Sequence, residues 1–219
     1  MKKVDTTMKK VVATSSVFVL DPFKGKDAVN NIAQVYQKAF GNKPWNEGYV
    51  CPICKTVFAD EFSSWGYCQQ CSHKDGRLVG IVRCWPIDKV ITDFYREMTK
   101  SNALCLVMKD GETIIAFAWG YSIQVNTFLD KYLEAPNLHS KLMSREFLYL
   151  DECAVTPKWQ GQGCGKALLK SFVEKAKEEK KSVLLRTMEN SVMHKLAEKF
   201  GGKVIQKISR QRVIITIII

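Results

Sequence analysis

Leu148-Tyr149-Leu150-Asp151-Glu152-Cys153-Ala154-Val155-Thr156-Pro157 runs into Lys158-Trp159-Gln160-Gly161-Gln162-Gly163-Cys164-Gly165-Lys166-Ala167-Leu168-Leu169, and this stretch decides how the rest of the chain reads. Its first part is mostly apolar and ends on Pro157, which has no N–H to give to a sheet ladder, so a strand stops there. Gly161, Gly163 and Gly165 follow at alternate positions. Leu168, Leu169, Phe172, Val173 and Ala176 then recur at helical spacing, with Lys170, Glu174, Lys175 and Lys177 between them. The pattern predicts a strand, a glycine turn and a helix. A helix that opens on such a turn presents unpaired N–H groups and the positive end of its dipole, a place for a phosphate-bearing ligand.

Two familiar phosphate motifs do not fit. A Walker loop needs Gly where Gln160 stands and Ser or Thr where Ala167 stands. The dinucleotide fingerprint needs its third Gly where Lys166 or Leu168 stands. Gln-x-x-Gly-x-Gly does fit, on Gln160, Gly163 and Gly165, after a strand carrying Ala154-Val155-x-Pro157. This resembles the acetyl-coenzyme A signature of the GNAT superfamily of N-acyltransferases; the plainer alternative is a glycine turn closing an ordinary strand–helix unit.

The resemblance covers most of the chain from Val17 onward and implies a mixed α/β fold, with a mostly antiparallel central sheet flanked by helices. It implies a bulge in the cofactor strand that splays the neighbouring strand and leaves a wedge for the pantetheine arm. The arm would lie along the backbone of Cys153, Ala154 and Val155. Gln160 and the backbone of Gly161, Gln162, Gly163, Cys164, Gly165 and Lys166 would surround the pyrophosphate. Asn190, predicted to begin a late helix, resembles the Asn that contacts the coenzyme. Seven residues further on, family members usually carry a Tyr that protonates the departing thiolate, and here Ala197 stands there. Either the thiolate leaves unaided, or another group serves, with Tyr149, Tyr121 and Cys164 as candidates, or the activity is weak. Cys164 at a helix N-terminus would have a lowered thiol pKa.

Composition sets the frame. A chain of 219 residues, 46% hydrophobic, suits one domain over residues 1–219, with an insertion at 49–74. No apolar run approaches the roughly 20 residues that a membrane helix needs, so no membrane partner is expected. Met1-Lys2-Lys3-Val4-Asp5 is basic without a signal-peptide apolar region, which predicts a cytoplasmic protein, monomer or homodimer. In that compartment eight cysteines point to metal binding, free thiols or catalysis before disulfides. A net charge of +11 favours anionic partners, coenzyme A among them, and if clustered it would suit RNA or an acidic protein.

The insertion has its own signal. Cys51-Pro52-Ile53-Cys54 and Cys68-Gln69-Gln70-Cys71 are two Cys-x-x-Cys knuckles, and four thiolates so arranged wrap one tetrahedral Zn2+. A closed four-cysteine site leaves no open coordination position, so such a metal is structural. Free or redox-active thiols are the alternative, and His73 is a minor candidate ligand.

Asp151 and Glu152 are adjacent in an otherwise apolar strand. Burying a carboxylate there costs several kcal/mol unless it is paired or opens onto a cavity. Alternation puts the two on opposite faces unless a bulge intervenes. Glu152 is the first choice for a general base and Asp151 the second; the alternative is an ion pair with an Arg or Lys on a neighbouring strand. An alkyl ammonium, with a pKa of about 10.4, must lose a proton before it attacks a thioester. A similar acidic pair in polyamine-type acetyltransferases makes a cationic acceptor, or a lysine or N-terminal amine, a reasonable expectation. Trp45 and Glu47, in the loop after the first helix, are candidate acceptor-binding residues, as is Trp119; the alternative for the two tryptophans is the core. His194 and His139 have no visible partners and are expected at the surface.

Elsewhere, strands are predicted at 16–20, 103–108, 113–121, 182–187, 203–207 and 212–219, and helices at 27–40 and 88–98, with a hairpin at Asp110-Gly111. The segment 125–143 is helical or irregular. Two functions follow: acetyl transfer from acetyl-coenzyme A to a primary amine, or a zinc-ribbon nucleic-acid or protein-binding module with a catalytically weak acyl-coenzyme A pocket as sensor.

Overall fold

In the computed structural model the described residues are 16–43, 45–75, 78–131, 146–208 and 211–219. His139, most of the uncertain segment after 131, and the basic N-terminus lie outside them, as does the side chain of His73.

The chain runs β1 (Val17–Val19), α1 (Lys26–Phe40), β2 (Tyr49–Val50), β3 (Val57–Phe58), α2 (Gln69–Asp75), β4 (Val82–Arg83) and α3 (Ile87–Met98). It continues through β5 (Leu104–Asp110), β6 (Thr113–Gln124), α4 (Val125–Lys131), β7 (Glu146–Val155), α5 (Cys164–Glu178), β8 (Ser182–Met188), α6 (Val192–Lys199), β9 (Gly202–Lys207) and β10 (Arg212–Ile217). A seven-stranded sheet has the order β1-β5-β6-β7-β8-β10-β9. All its neighbours are antiparallel except β7 and β8, which α5 joins as a parallel crossover. This is the mixed α/β fold, with a mostly antiparallel sheet, that the resemblance implies.

The two faces of the sheet carry separate cores. Leu168, Leu169, Phe172, Val173 and Ala176 of α5 are buried against Leu106, Ala118, Leu148 and Leu185. Each large side chain so buried contributes roughly 2 kcal/mol. On the other face Val29, Ile32, Ala33 and Tyr36 of α1 and Val90 and Phe94 of α3 meet Val107, Phe117, Trp119 and Ala154. Beyond them Tyr121, Tyr149, Phe128 and Ile214 form a third cluster. β6 is buried at ten of its twelve positions, as a central strand covered on both faces should be.

Two irregularities position the site. Trp119 pairs with Glu152 but Gly120 pairs with Leu150, so Asp151 is one residue extra and β7 bulges there. A side chain at Gly120 has no room, because its Cβ would lie 2.0 Å from the Tyr149 carbonyl oxygen. The parallel pairing of β7 with β8 runs from Phe147–Ser182 to Leu150–Leu185 and stops, although the two strands continue to Val155 and Met188. Past Leu150 they part, and the edge of Asp151–Val155 that faces β8 is left open.

A second sheet, β3-β2-β4, carries the cysteine knuckles. Lys55 N–H donates to Cys51 O (3.1 Å) and Cys51 N–H to Thr56 O (2.9 Å), closing the first knuckle with Lys55 left-handed at φ 60°. The second, Cys68 to Cys71, opens α2. The late helix begins at Val192 rather than Asn190: Ser191 is its cap, its Oγ accepting from His194 N–H at 3.1 Å, and Asn190 sits in the preceding turn at φ 63°.

Candidate active site

The open edge of β7, the glycine turn and the start of α6 enclose a groove of about 390 Å³. Cys153, Ala154 and Val155 form one wall, Gln160, Gly161, Gly163, Cys164, Gly165 and Lys166 its end, and Ser191 to Met193 with Leu196 the far wall. Gly161 and Gly163 are left-handed, at φ 75° and 92°, which only glycine adopts readily. Gly163 caps α5 with no side chain satisfying the first-turn N–H groups, so these remain for a ligand. The Gln160 side-chain amide donates to Val155 O at 3.1 Å and ties the turn back to the strand.

Not every residue of the motif faces the groove. Gln162 turns away, its amide donating to Lys158 O at 3.0 Å. Asn190 is absent from the lining, which starts at Ser191. Cys164 lines the groove but is buried, and burial pushes its thiol pKa up; the expected lowering by the helix terminus does not win. Burial also pushes Cys153 up to about 12, so both thiols are held protonated. Tyr121 and Tyr149 pack edge to face at 5.6 Å inside the third cluster, away from the groove. Among the candidate donors only Cys164 reaches it.

A second cavity, about 170 Å³, opens from the parting of β7 and β8. It shares Phe40 and Trp45 with the groove. Asp151 and Glu152 both line it, because the bulge cancels the alternation that would have put them on opposite faces. The Tyr36 hydroxyl donates to Glu152 Oε1 at 3.2 Å. Burial, reinforced by the charge of Asp151, raises the Glu152 pKa to about 8, against the lowering pull of the Tyr36 hydrogen bond and of Arg186. The ion-pair alternative is thus present in part: Arg186, on the neighbouring β8, acts on the carboxylate without restoring an ordinary pKa. The Tyr36 hydroxyl is itself raised by burial and by Glu152, and stays protonated.

Trp45 and Glu47, the candidate acceptor-binding residues, both line this cavity. Glu47 Oε2 accepts from the Trp85 indole N–H at 3.1 Å, and Trp85 packs edge-on to Tyr36 at 5.5 Å. Trp119 does not line the cavity. It stacks on Phe117 (4.7 Å) and lies behind Tyr36 (5.7 Å) in the α1-side core. His194 is buried, not at the surface: its Nδ1 accepts from Asn190 N–H at 2.9 Å, fixing the turn before α6.

Sequence reasoning missed Tyr36, Trp85, Arg186 and Arg212. Arg186 did carry a signal, since it interrupts Val183-Leu184-Leu185 as Asp151 interrupts Leu148-Tyr149-Leu150.

The four cysteine sulfurs lie within 4.8 Å of one another, with Cys51–Cys71 at 3.7 Å and Cys54–Cys68 at 3.6 Å. Tetrahedral zinc with bonds of about 2.3 Å has sulfur–sulfur edges of about 3.8 Å, so the cluster fits such an ion.

Comparison with known proteins agrees with the geometry. The sequence profile of the acetyltransferase (GNAT) family matches residues 91–202, from within α3 to the start of β9. The chain belongs to the GNAT acetyltransferase family. The search of curated proteins returns no match. Among solved structures, a protein from Pyrococcus horikoshii superposes with TM-score 0.57 at 18% identity, covering 92% of this chain and 96% of that one. The PaiA N-acetyltransferase of Thermoplasma acidophilum, in complex with coenzyme A, gives 0.55 at 15% identity, covering 93% and 98%. A mosquito arylalkylamine N-acetyltransferase-like protein gives 0.55 at 12%, covering 93% and 99%. At such identities the likeness is one of fold. Among the described residues no helix is long and apolar enough to cross a membrane.

Proposed function

We propose that this chain transfers an acetyl group from acetyl-coenzyme A to a primary amine, with Glu152 as base. The observation that carries the proposal is the parting of β7 from β8 at Asp151, which joins an open groove ending on a helix N-terminus to a carboxylate-lined cavity. The pyrophosphate would sit on the first-turn N–H groups of α5. The open edge of Cys153–Val155 would take the arm as an added strand. In the cavity Glu152, unprotonated above about pH 8, removes a proton from the bound ammonium, directly or through water. The amine then attacks the thioester carbonyl, a C–N bond forms and the C–S bond breaks; the nitrogen sheds its second proton as the amide forms, which balances the proton taken up by the departing sulfur. A backbone N–H on the open edge of β7 steadies the oxyanion. Cys164 is the donor candidate that this chain brings to the groove. Proteins of similar fold support the class of chemistry: PaiA is an N-acetyltransferase seen with coenzyme A, and the Salmonella typhimurium YncA structure holds acetyl-coenzyme A.

Residues 49–74 form, in this proposal, a zinc-binding insertion within one acyltransferase domain, and Cys51, Cys54, Cys68 and Cys71 hold a structural Zn2+. The sulfur–sulfur spacing supports this.

Titration calorimetry with coenzyme A and a thiol-release assay over a panel of amines test the transfer. One coenzyme A bound per chain with amine-dependent thiol release is expected; no coenzyme A binding overturns it.

A further inference from the structure

The cavity beside the groove carries charge of both signs. Glu47, Asp151 and Glu152 line it, and so do Arg186 and Arg212. A site for a polyamine needs an excess of carboxylates, because each further ammonium must find a partner and guanidinium groups repel it. Here two cations stand against three acids, a surplus of one carboxylate, and Tyr36, Phe40, Trp45, Trp85 and Thr187 complete the lining. The cavity, about 170 Å³, has room for a small molecule and opens to solvent.

The charges come from different strands. Asp151 and Glu152 line the cavity from β7, just past the point where it leaves β8. Arg212 opens β10 and its side chain is 40% exposed. Its guanidinium stands 4.0 Å from Glu47 Oε1, beyond hydrogen-bond distance, while the other Glu47 oxygen is held by Trp85. Arginine has five N–H donors in a planar fork matched to a carboxylate, so Arg212 keeps donors to offer an acid group entering beside Glu47. An ammonium at Asp151 and Glu152 and an acid group at Arg212 can be supplied by a single small molecule.

We propose that the acceptor is a small amino acid, its amine at Asp151–Glu152 and its carboxylate on Arg212. This rests on the acyl-transfer reading and narrows it to a zwitterionic acceptor. Arg212 is then a specificity residue that never touches the reacting atoms.

The test compares matched acceptors: serine with serinamide and ethanolamine, lysine with lysinamide and cadaverine, and spermidine beside them. For the wild type, kcat/KM for each amino acid should exceed that of its amide and its decarboxylated amine by about tenfold or more, the worth of one charge-assisted pair. Arg212→Gln should bring that ratio close to one, mainly by raising KM for the acids, and Arg212→Lys should restore it in part. Coenzyme A affinity and melting temperature, measured on each variant, show that the fold is intact. A preference for amides, decarboxylated amines or spermidine overturns this inference and leaves acyl transfer standing, as does an Arg212→Gln variant that keeps the full ratio. Thiol release with none of these acceptors, although coenzyme A binds, overturns both.

Discussion

Glu152 shows how one side chain's environment becomes a rate. Its carboxyl is raised to about 8, first by burial and then by Asp151. The unprotonated form that can accept a proton fills as pH climbs through that value, so kcat/KM should rise and level off above about pH 8. Glu152→Gln should remove that limb and lower kcat by about 10² to 10⁴, read from a pH–rate profile. Stability carries the opposite sign. Between the ordinary carboxylate range and about pH 8 the folded state holds a proton that the unfolded state has released, so stability falls as pH rises across that window. The Glu152→Gln variant lacks this loss, and its melting temperature should gain on the wild type between about pH 5 and pH 9. The acidic pair was legible in the sequence because two carboxylates in an apolar strand demand an explanation. Gly120 was not, since nothing in its neighbours reveals that Tyr149 O comes so close. Gly120→Ala should cost about 3 kcal/mol or more in urea unfolding, because the clash is with backbone at the bulge and the Phe172 ring crowds the same space.

Among the elements, the cysteine-bearing sheet is the one whose position matters most. Its strands lie between Glu47 and Trp85 in the chain, two residues joined by the indole hydrogen bond on the cavity wall. Asp60 fastens it. The Asp60 carboxylate packs so closely on Gly41 and Gly48 that a Cβ at either would meet it at 2.5 Å, and Arg83 pairs with it at 2.5 Å. If zinc organises this sheet, removing it loosens both feet at once. Chelation, or Cys54→Ser, should raise the acceptor KM by about tenfold or more while coenzyme A affinity, measured by calorimetry, changes little, because the groove is built from β7, α5 and α6. Paired Cys-x-x-Cys spacing reveals a four-thiol cluster from sequence alone. The docking was hidden because it depends on Gly41, Gly48, Asp60 and Arg83, which look like ordinary loop and strand residues.

At the level of the whole molecule, the punctuation from Leu148 to Leu169 was enough to anticipate a strand, a glycine turn and a helix, because Pro157, the glycines and the helical apolar spacing agree with one another, while the mixed sheet and its wedge followed only from the family resemblance that this stretch carries. Strand order was not legible: periodicity says that Arg212–Ile217 is buried, but not that it lies between β8 and β9. Trp119 and the cavity arginines share that difficulty, since which face a strand residue occupies depends on bulges and partners that local pattern does not encode.

That strand order has a consequence for a partly folded chain. β9 precedes β10 in the chain, yet its ladder is with β10 alone. Until Arg212–Ile217 docks, Val183–Leu185 has one bare flank and Gly202–Lys207 has no ladder to join. The far side of the sheet therefore closes as one unit, and any loss of Arg212–Ile217 from its place leaves an adhesive edge exposed to other chains.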